Sequence, residues 1–139
     1  MMIVNGFEFK SGAEELSSLA LDYIGDSVFE IYARSYVLSL GNRSVDKINS
    51  EVRNIVNAHS QSEMYHKLEP FLTEEEFKIM KRGRNANSHT MAKNQSAGDY
   101  RRATGLEALF GRLYIEGKTE RLTELFKLGI KKEKGDENG

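Results

Sequence analysis

Leu19-Ala20-Leu21-Asp22-Tyr23-Ile24-Gly25-Asp26-Ser27-Val28 sets apolar residues at helical spacing around two acids four positions apart. Leu16, Leu19, Ala20, Tyr23 and Ile24 make one stripe, which predicts an amphipathic helix rather than an alternating strand. Ser11 and Glu14, at capping-box spacing, place its start near Ser11. Val28, Ile31 and Tyr32 carry the pattern toward Leu40, where Gly41-Asn42 supplies a stop. Gly25 reads either as a kink or as a continuation. If the helix is continuous, Asp22, Asp26 and Glu30 lie along one face. Like charges so spaced disfavour a bare helix by roughly a few tenths of a kcal/mol, which a bound divalent cation would offset. The other reading is helix-boundary acids in solvent, and it is the one taken for Glu30.

Working outward, the chain is a series of helices with few breaks. A long stretch from Ser44 carries Val45, Ile48, Val52, Ile55, Val56 and His59, and continues through Met64 and Leu68 to Pro70, the only proline. It reads as ordinary core packing. Thr73 and Glu76 form a second capping box, opening a helix predicted to bury Phe77 and Met80. Periodicity fails from Gly83 to Gly98, a long connection of the kind that is functional or disordered. It resumes from Tyr100 to Glu116 with Gly117 as C-cap, and a last helix spans Thr119 to Gly129. The expected class is all-α: a single compact helical bundle over residues 1–130, with 131–139 as a flexible tail.

Composition removes several classes of function. There is no cysteine, hence neither a disulfide framework nor a thiolate metal site. Neither a signal peptide nor an apolar run near the ~18 residues of a membrane span is visible, so the expectation is a soluble, cytoplasmic protein. Twenty Lys and Arg against 21 Asp and Glu leave a net charge of -1. The distribution is uneven. Lys78, Lys81, Arg82, Arg84, Lys93, Arg101 and Arg102 face only Asp99 within 78–102. Such a segment reads as a polyanion-binding surface or as a solvated charged loop.

Ala103, Glu107, Phe110 and Tyr114 are spaced four, three and four apart, placing Glu107 on an apolar stripe. A carboxylate removed from water needs a partner, which is either a metal or an Arg such as Arg101 or Arg112. Gly25 beside Asp26, and Gly111 one turn after Glu107, would let two backbones approach closely. Oxygen ligands without Cys or clustered His favour Mg²⁺ or Mn²⁺ over zinc. Nucleophile-elbow and HExxH patterns are missing, no His-Asp pair is expected, and His59, His66 and His89 read as structural or surface residues rather than a cluster. Gly117-Lys118-Thr119 looks like the end of a phosphate-binding loop, but Arg112 stands where the first glycine belongs, so it reads as a cap.

The stretch 19–28 resembles the signature helix of ribonuclease III catalytic domains, and Thr104-Gly-Leu-Glu-Ala-Leu-Phe-Gly111 resembles their second acidic motif. Lys81-Arg-Gly-Arg-Asn-Ala-Asn-Ser88 resembles the basic loop of the minimal, Mini-ribonuclease III branch, and the likeness covers about residues 14 to 130. No double-stranded-RNA-binding domain is visible, as in that branch. The resemblance implies a homodimeric endonuclease that hydrolyses double-stranded RNA and matures large-subunit ribosomal RNA precursors. It makes Asp26 the essential aspartate and Glu107 the metal-binding glutamate, with Asp22 at an acidic position of the larger enzymes. Mg²⁺ would be the cofactor, with Mn²⁺ as a substitute, held largely through water. Where the larger enzymes have two further acids, this chain has Leu19 and Thr104, as the minimal branch does. RNA contacts are expected from Arg82, Arg84, Asn85, Asn87 and Ser88, with Lys93, Arg101 and Arg102 as further phosphate contacts. The competing readings are a non-catalytic RNA- or ribosome-binding helical module and a helical nucleotide pyrophosphohydrolase.

Overall fold

A computed structural model describes residues 1–86 and 96–131. A hairpin of β1 (Met2–Val4) and β2 (Phe7–Phe9) leads into a short 3₁₀ turn and then six helices: α1 (Ser18–Ser39), α2 (Val45–Val56), α3 (Ala58–Leu68), α4 (Glu74–Asn85), α5 (Ala97–Ile115) and α6 (Thr119–Ile130). The all-α expectation holds for the described residues beyond the hairpin. The tail expected from 131 lies, apart from Lys131, outside the described residues.

α1 starts at Ser18 rather than near Ser11. Ser17, extended at φ -66° and ψ 157°, accepts a hydrogen bond from the Ala20 amide, whereas Ala13–Glu15 makes only a 3₁₀ turn. Through Gly25 the helix is continuous. Its core face is Leu21, Gly25, Val28, Phe29, Ala33 and Val37, not the stripe expected from Leu19 and Tyr23, which are 40% and 84% exposed. The helix has two apolar sides, and a periodicity argument cannot tell which one meets the core.

The long stretch from Ser44 is two helices. Asn57, at φ -74° and ψ 158°, breaks it and caps both ends. Its Nδ2 donates to the Arg53 carbonyl at 2.9 Å, and its Oδ1 accepts from the Ser60 amide at 2.8 Å. The capping box at Thr73 and Glu76 forms as predicted. α4 then continues through Gly83 to Asn85, and α5 opens at Ala97 on a Ser96 cap, so the connection is shorter than Gly83 to Gly98. Gly117, at φ 75°, closes α5: its amide donates to the Tyr114 carbonyl and that of Lys118 to Leu113, a Schellman arrangement.

α5 is the axis. Eleven of its 19 residues are buried, and α1, α3, α4 and α6 all pack on it. The main core joins Phe29, Tyr65, Leu68, Leu106, Phe110 and Phe126, with the three phenylalanine rings 5.4–6.4 Å apart in tilted or edge-on pairs. Arg121 of α6 clasps the buried Glu76 carboxylate with Nε at 2.9 Å and Nη2 at 2.7 Å, fastening α6 to the start of α4.

The hairpin was missed in the sequence, although Asn5-Gly6 between apolar residues is a strong turn signal. Asn5 and Gly6 both take positive φ (54° and 85°), and Met2, Ile3 and Val4 pair with Phe9, Glu8 and Phe7. Val4 packs with Leu21, Ala108 and Ile115, and the Tyr114 hydroxyl donates to Asn5 Oδ1 at 2.9 Å.

Candidate active site

α1 and α5 cross in backbone contact. A Cβ at Gly25 would fall 1.7 Å from the Glu107 carbonyl oxygen, and one at Gly111 would fall 2.1 Å from the Leu21 carbonyl oxygen. Any side chain at either position would force the helices apart. The close approach anticipated from the two glycines is therefore real, and it sets Asp22 and Asp26 of α1 beside Glu107 of α5.

The three carboxyl groups interact. Burial, then the neighbouring Asp22, push the Glu107 carboxyl up to about 10, and Asp26 adds to the effect. Burial also raises Asp22, with the Asp26 charge contributing in the same direction. Asp26 itself is exposed, at the mouth of a shallow depression of about 460 Å³ that it lines with Ser27, Glu30, Ile31 and Arg34. The buried Asp22 Oδ1 has no hydrogen-bond partner, while a hydrogen bond between the Asp22 and Glu107 carboxyl groups opposes the rise at Asp22. Acids crowded in this way need either a proton between them or a cation.

The alternative of an Arg partner for Glu107 is not what forms. Arg112 bonds Glu116 at 2.9 Å and lies 3.7 Å from Glu75, while Arg101 is exposed. Glu107 instead receives a hydrogen bond from the side-chain amide of Gln61, Nε2 to Oε2, at 3.0 Å. Gln61 is a functional candidate that the sequence reading passed over as core. The available signal was an amide at 61 on the same stripe as Ala58, Met64, Tyr65 and Leu68, the same anomaly that marked Glu107. Thr104 is buried and donates to the Tyr100 carbonyl, so its hydroxyl is engaged locally. Glu30 pairs with Arg34 at 2.9 Å and does not join the acids, as its solvent reading expected.

The basic residues divide by environment. Arg82 and Asn85 are exposed on the last turn of α4, and the Arg84 guanidinium lies 6.0 Å from the Tyr65 ring centroid. Arg101 is exposed on α5. Arg102 is half-buried, donating to Ser62 Oγ at 2.6 Å and lying 3.4 Å from Asp99, which also bonds His59. Asn87, Ser88 and Lys93 lie outside the described residues.

The Ribonuclease III domain family matches residues 19–118, which takes in both acidic motifs and the segment between them. The chain belongs to the ribonuclease III family. It is similar to the Mini-ribonuclease 3 of Clostridium tetani, at 43% identity over 90% of this chain and 84% of that one, and to the Mini-ribonuclease 3 of Enterococcus faecalis, at 43% over 86% and 92%. A crystal structure of a Fusobacterium nucleatum protein superposes with a TM-score of 0.80 at 33% identity, covering 88% of this chain and all of that one. Membership in the ribonuclease III family makes the chain a double-strand-specific endoribonuclease, a hydrolase of phosphodiester bonds. Among the described residues no helix is long and apolar enough to cross a membrane.

The donor set suits a hard divalent ion. Among the described residues no three Asp, Glu or His side chains form a ready-made cage, so an ion at this site would complete its shell with water. Mg²⁺, which gives up hydration reluctantly, fits an open set of two or three carboxylates with one unpartnered oxygen.

Proposed function

We propose that the chain is a Mg²⁺-dependent endoribonuclease that cuts within double-stranded RNA to mature the ends of large-subunit ribosomal RNA precursors in the cytoplasm, acting as a homodimer through a catalytic unit of residues 1–130. The observation that carries the cation dependence is the meeting of Asp22, Asp26 and Glu107 at the α1–α5 crossing, with a buried Asp22 oxygen that nothing satisfies. Asp26 and Glu107 are the essential acids and cation ligands in this reading, with Asp22 beside them. Mn²⁺ replaces Mg²⁺ in the same oxygen set. Bound there, the ion supplies charge stabilisation at the scissile phosphate and an activated water.

The chain's own residues bind and orient the duplex. Arg82 and Arg84 leave α4 near its C-terminus, and Asn85 and Arg101 flank the connection that carries Asn87, Ser88 and Lys93. Arginines with short polar side chains suit the 2′-hydroxyls and phosphates of a wide, shallow minor groove, which favours recognition of A-form shape over sequence. Arg102 serves the duplex indirectly, because its bonds to Ser62 and Asp99 hold the first turns of α5. The outward side of α1 supports self-association: Leu19, Tyr23, Ile31 and Leu38 are exposed there, beside Asp26. Two such sites in one dimer cut both strands.

The test is incubation of a blunt RNA duplex with Mg²⁺ and with EDTA, for wild type, Asp26→Asn and Glu107→Gln, with folding checked by circular dichroism. Cleavage by wild type in Mg²⁺ alone, lost in both variants, is expected. Cleavage in EDTA, or by Asp26→Asn, overturns the reading.

A further inference from the structure

Gln61 is 4% exposed, and its amide donates to Glu107 from a third helix, α3. We propose that Gln61 is a positioning residue that sets the Glu107 carboxylate for cation binding by holding Oε2; the inference rests on the reading of Glu107 as a cation ligand. A buried amide is costly unless it is bonded, so a leucine would serve packing better at this place on α3. What the amide adds is a neutral donor. A guanidinium or ammonium would also orient Glu107, but its charge would oppose a divalent cation; an amide favours the ionised carboxylate without that competition. Carboxylates that hold metals are oriented by hydrogen bonds of this kind. The bond also joins α3 to the α1–α5 crossing, so that three helices fix one ligand.

The test is Mn²⁺ binding to the full chain, followed by electron paramagnetic resonance, for wild type, Gln61→Met, Gln61→Asn and Asp26→Asn. Gln61→Met preserves bulk and removes the donor. Gln61→Asn keeps the amide but withdraws it by one methylene. We expect Mn²⁺ affinity to fall roughly 10- to 100-fold in both, with the half-saturating Mg²⁺ for RNA cleavage rising by the same factor. The KM for RNA at saturating Mg²⁺ should be unchanged, a separation that general loosening of the fold would not produce. Wild-type Mn²⁺ affinity in a folded Gln61→Met protein overturns the proposal; if that variant does not fold, unchanged affinity in Gln61→Asn does so. A wild-type protein that binds no Mn²⁺ overturns the cation reading of Glu107 as well, whereas binding lost in Asp26→Asn but intact in both Gln61 variants overturns this inference alone.

Discussion

Glu107 has an ordinary carboxyl value of 4.5 in the unfolded chain and is pushed up to about 10 by burial and by Asp22. Between those values the folded protein holds a proton that the unfolded chain releases, so the stability this group contributes is complete below about pH 4.5 and is lost as pH rises toward 10. In EDTA, the Tm of wild type should therefore fall relative to that of Glu107→Gln between pH 5 and 9. At pH 8 the variant should melt at least about 3 °C higher, given that ~1 kcal/mol shifts Tm by ~3–5 °C at this size. Saturating Mg²⁺ should raise wild type and leave Glu107→Gln unmoved. Equal pH slopes for the two proteins in EDTA would refute the buried-acid account. The basic residues separate at the same scale. Arg82→Ala should raise the KM for RNA and reduce the salt slope of binding by about 1, with Tm unchanged. Arg102→Ala should instead cost about 1 kcal/mol of stability, because it removes the donor to the buried Ser62 hydroxyl and one of the partners of Asp99. Glu107 stood out in the sequence, since a carboxylate on an apolar stripe is an anomaly that spacing reveals, whereas Asp26 was singled out by its four-residue spacing from Asp22 and by the family resemblance. Gln61 was not read, because an uncharged amide among apolar residues passes for tolerated core until its partner is seen across 46 positions.

Between elements, the decisive contact is glycine against backbone. Gly25→Ala or Gly111→Ala should each cost about 3 kcal/mol or more, because the added carbon meets a carbonyl group rather than a side chain that can turn away. Thermal melting checks this, and a Tm within 2–3 °C of wild type, under ~1 kcal/mol, would show that the helices can separate without loss. Gly83 and Gly105 repeat the device between α4 and α5, where a Cβ at Gly105 would lie 2.5 Å from the Met80 carbonyl oxygen. Helix identity was readable from the 3.6-residue period, and the capping box at Thr73 from its spacing. The break at Asn57 was not, since it carries no glycine or proline and depends on one side chain serving two helix ends. Nor was the facing of α1, whose apolar residues point both inward and outward.

For the molecule as a whole, the outward side of α1 should be the dimer seam. Ile31, 62% exposed, lies beside the depression at Asp26. Ile31→Glu should convert a dimer to a monomer in sedimentation, with helix content retained and cleavage reduced; a monomeric wild type would exclude the arrangement. The core architecture has a different outcome in the cell. The helix on which α1, α3, α4 and α6 all pack is the fifth of the six to be synthesised. Until residues beyond 97 leave the ribosome, the faces of α1, α3 and α4 that α5 covers stay open, although α1 already meets α2 and α4. At ~5–20 residues per second, the interval from the end of α1 to the end of α5 lasts roughly 4–15 s. Glu107 thus reaches the aspartates only at the step that completes the core, and a nascent chain still on the ribosome, surrounded by structured RNA, carries two of its acids but not yet the third.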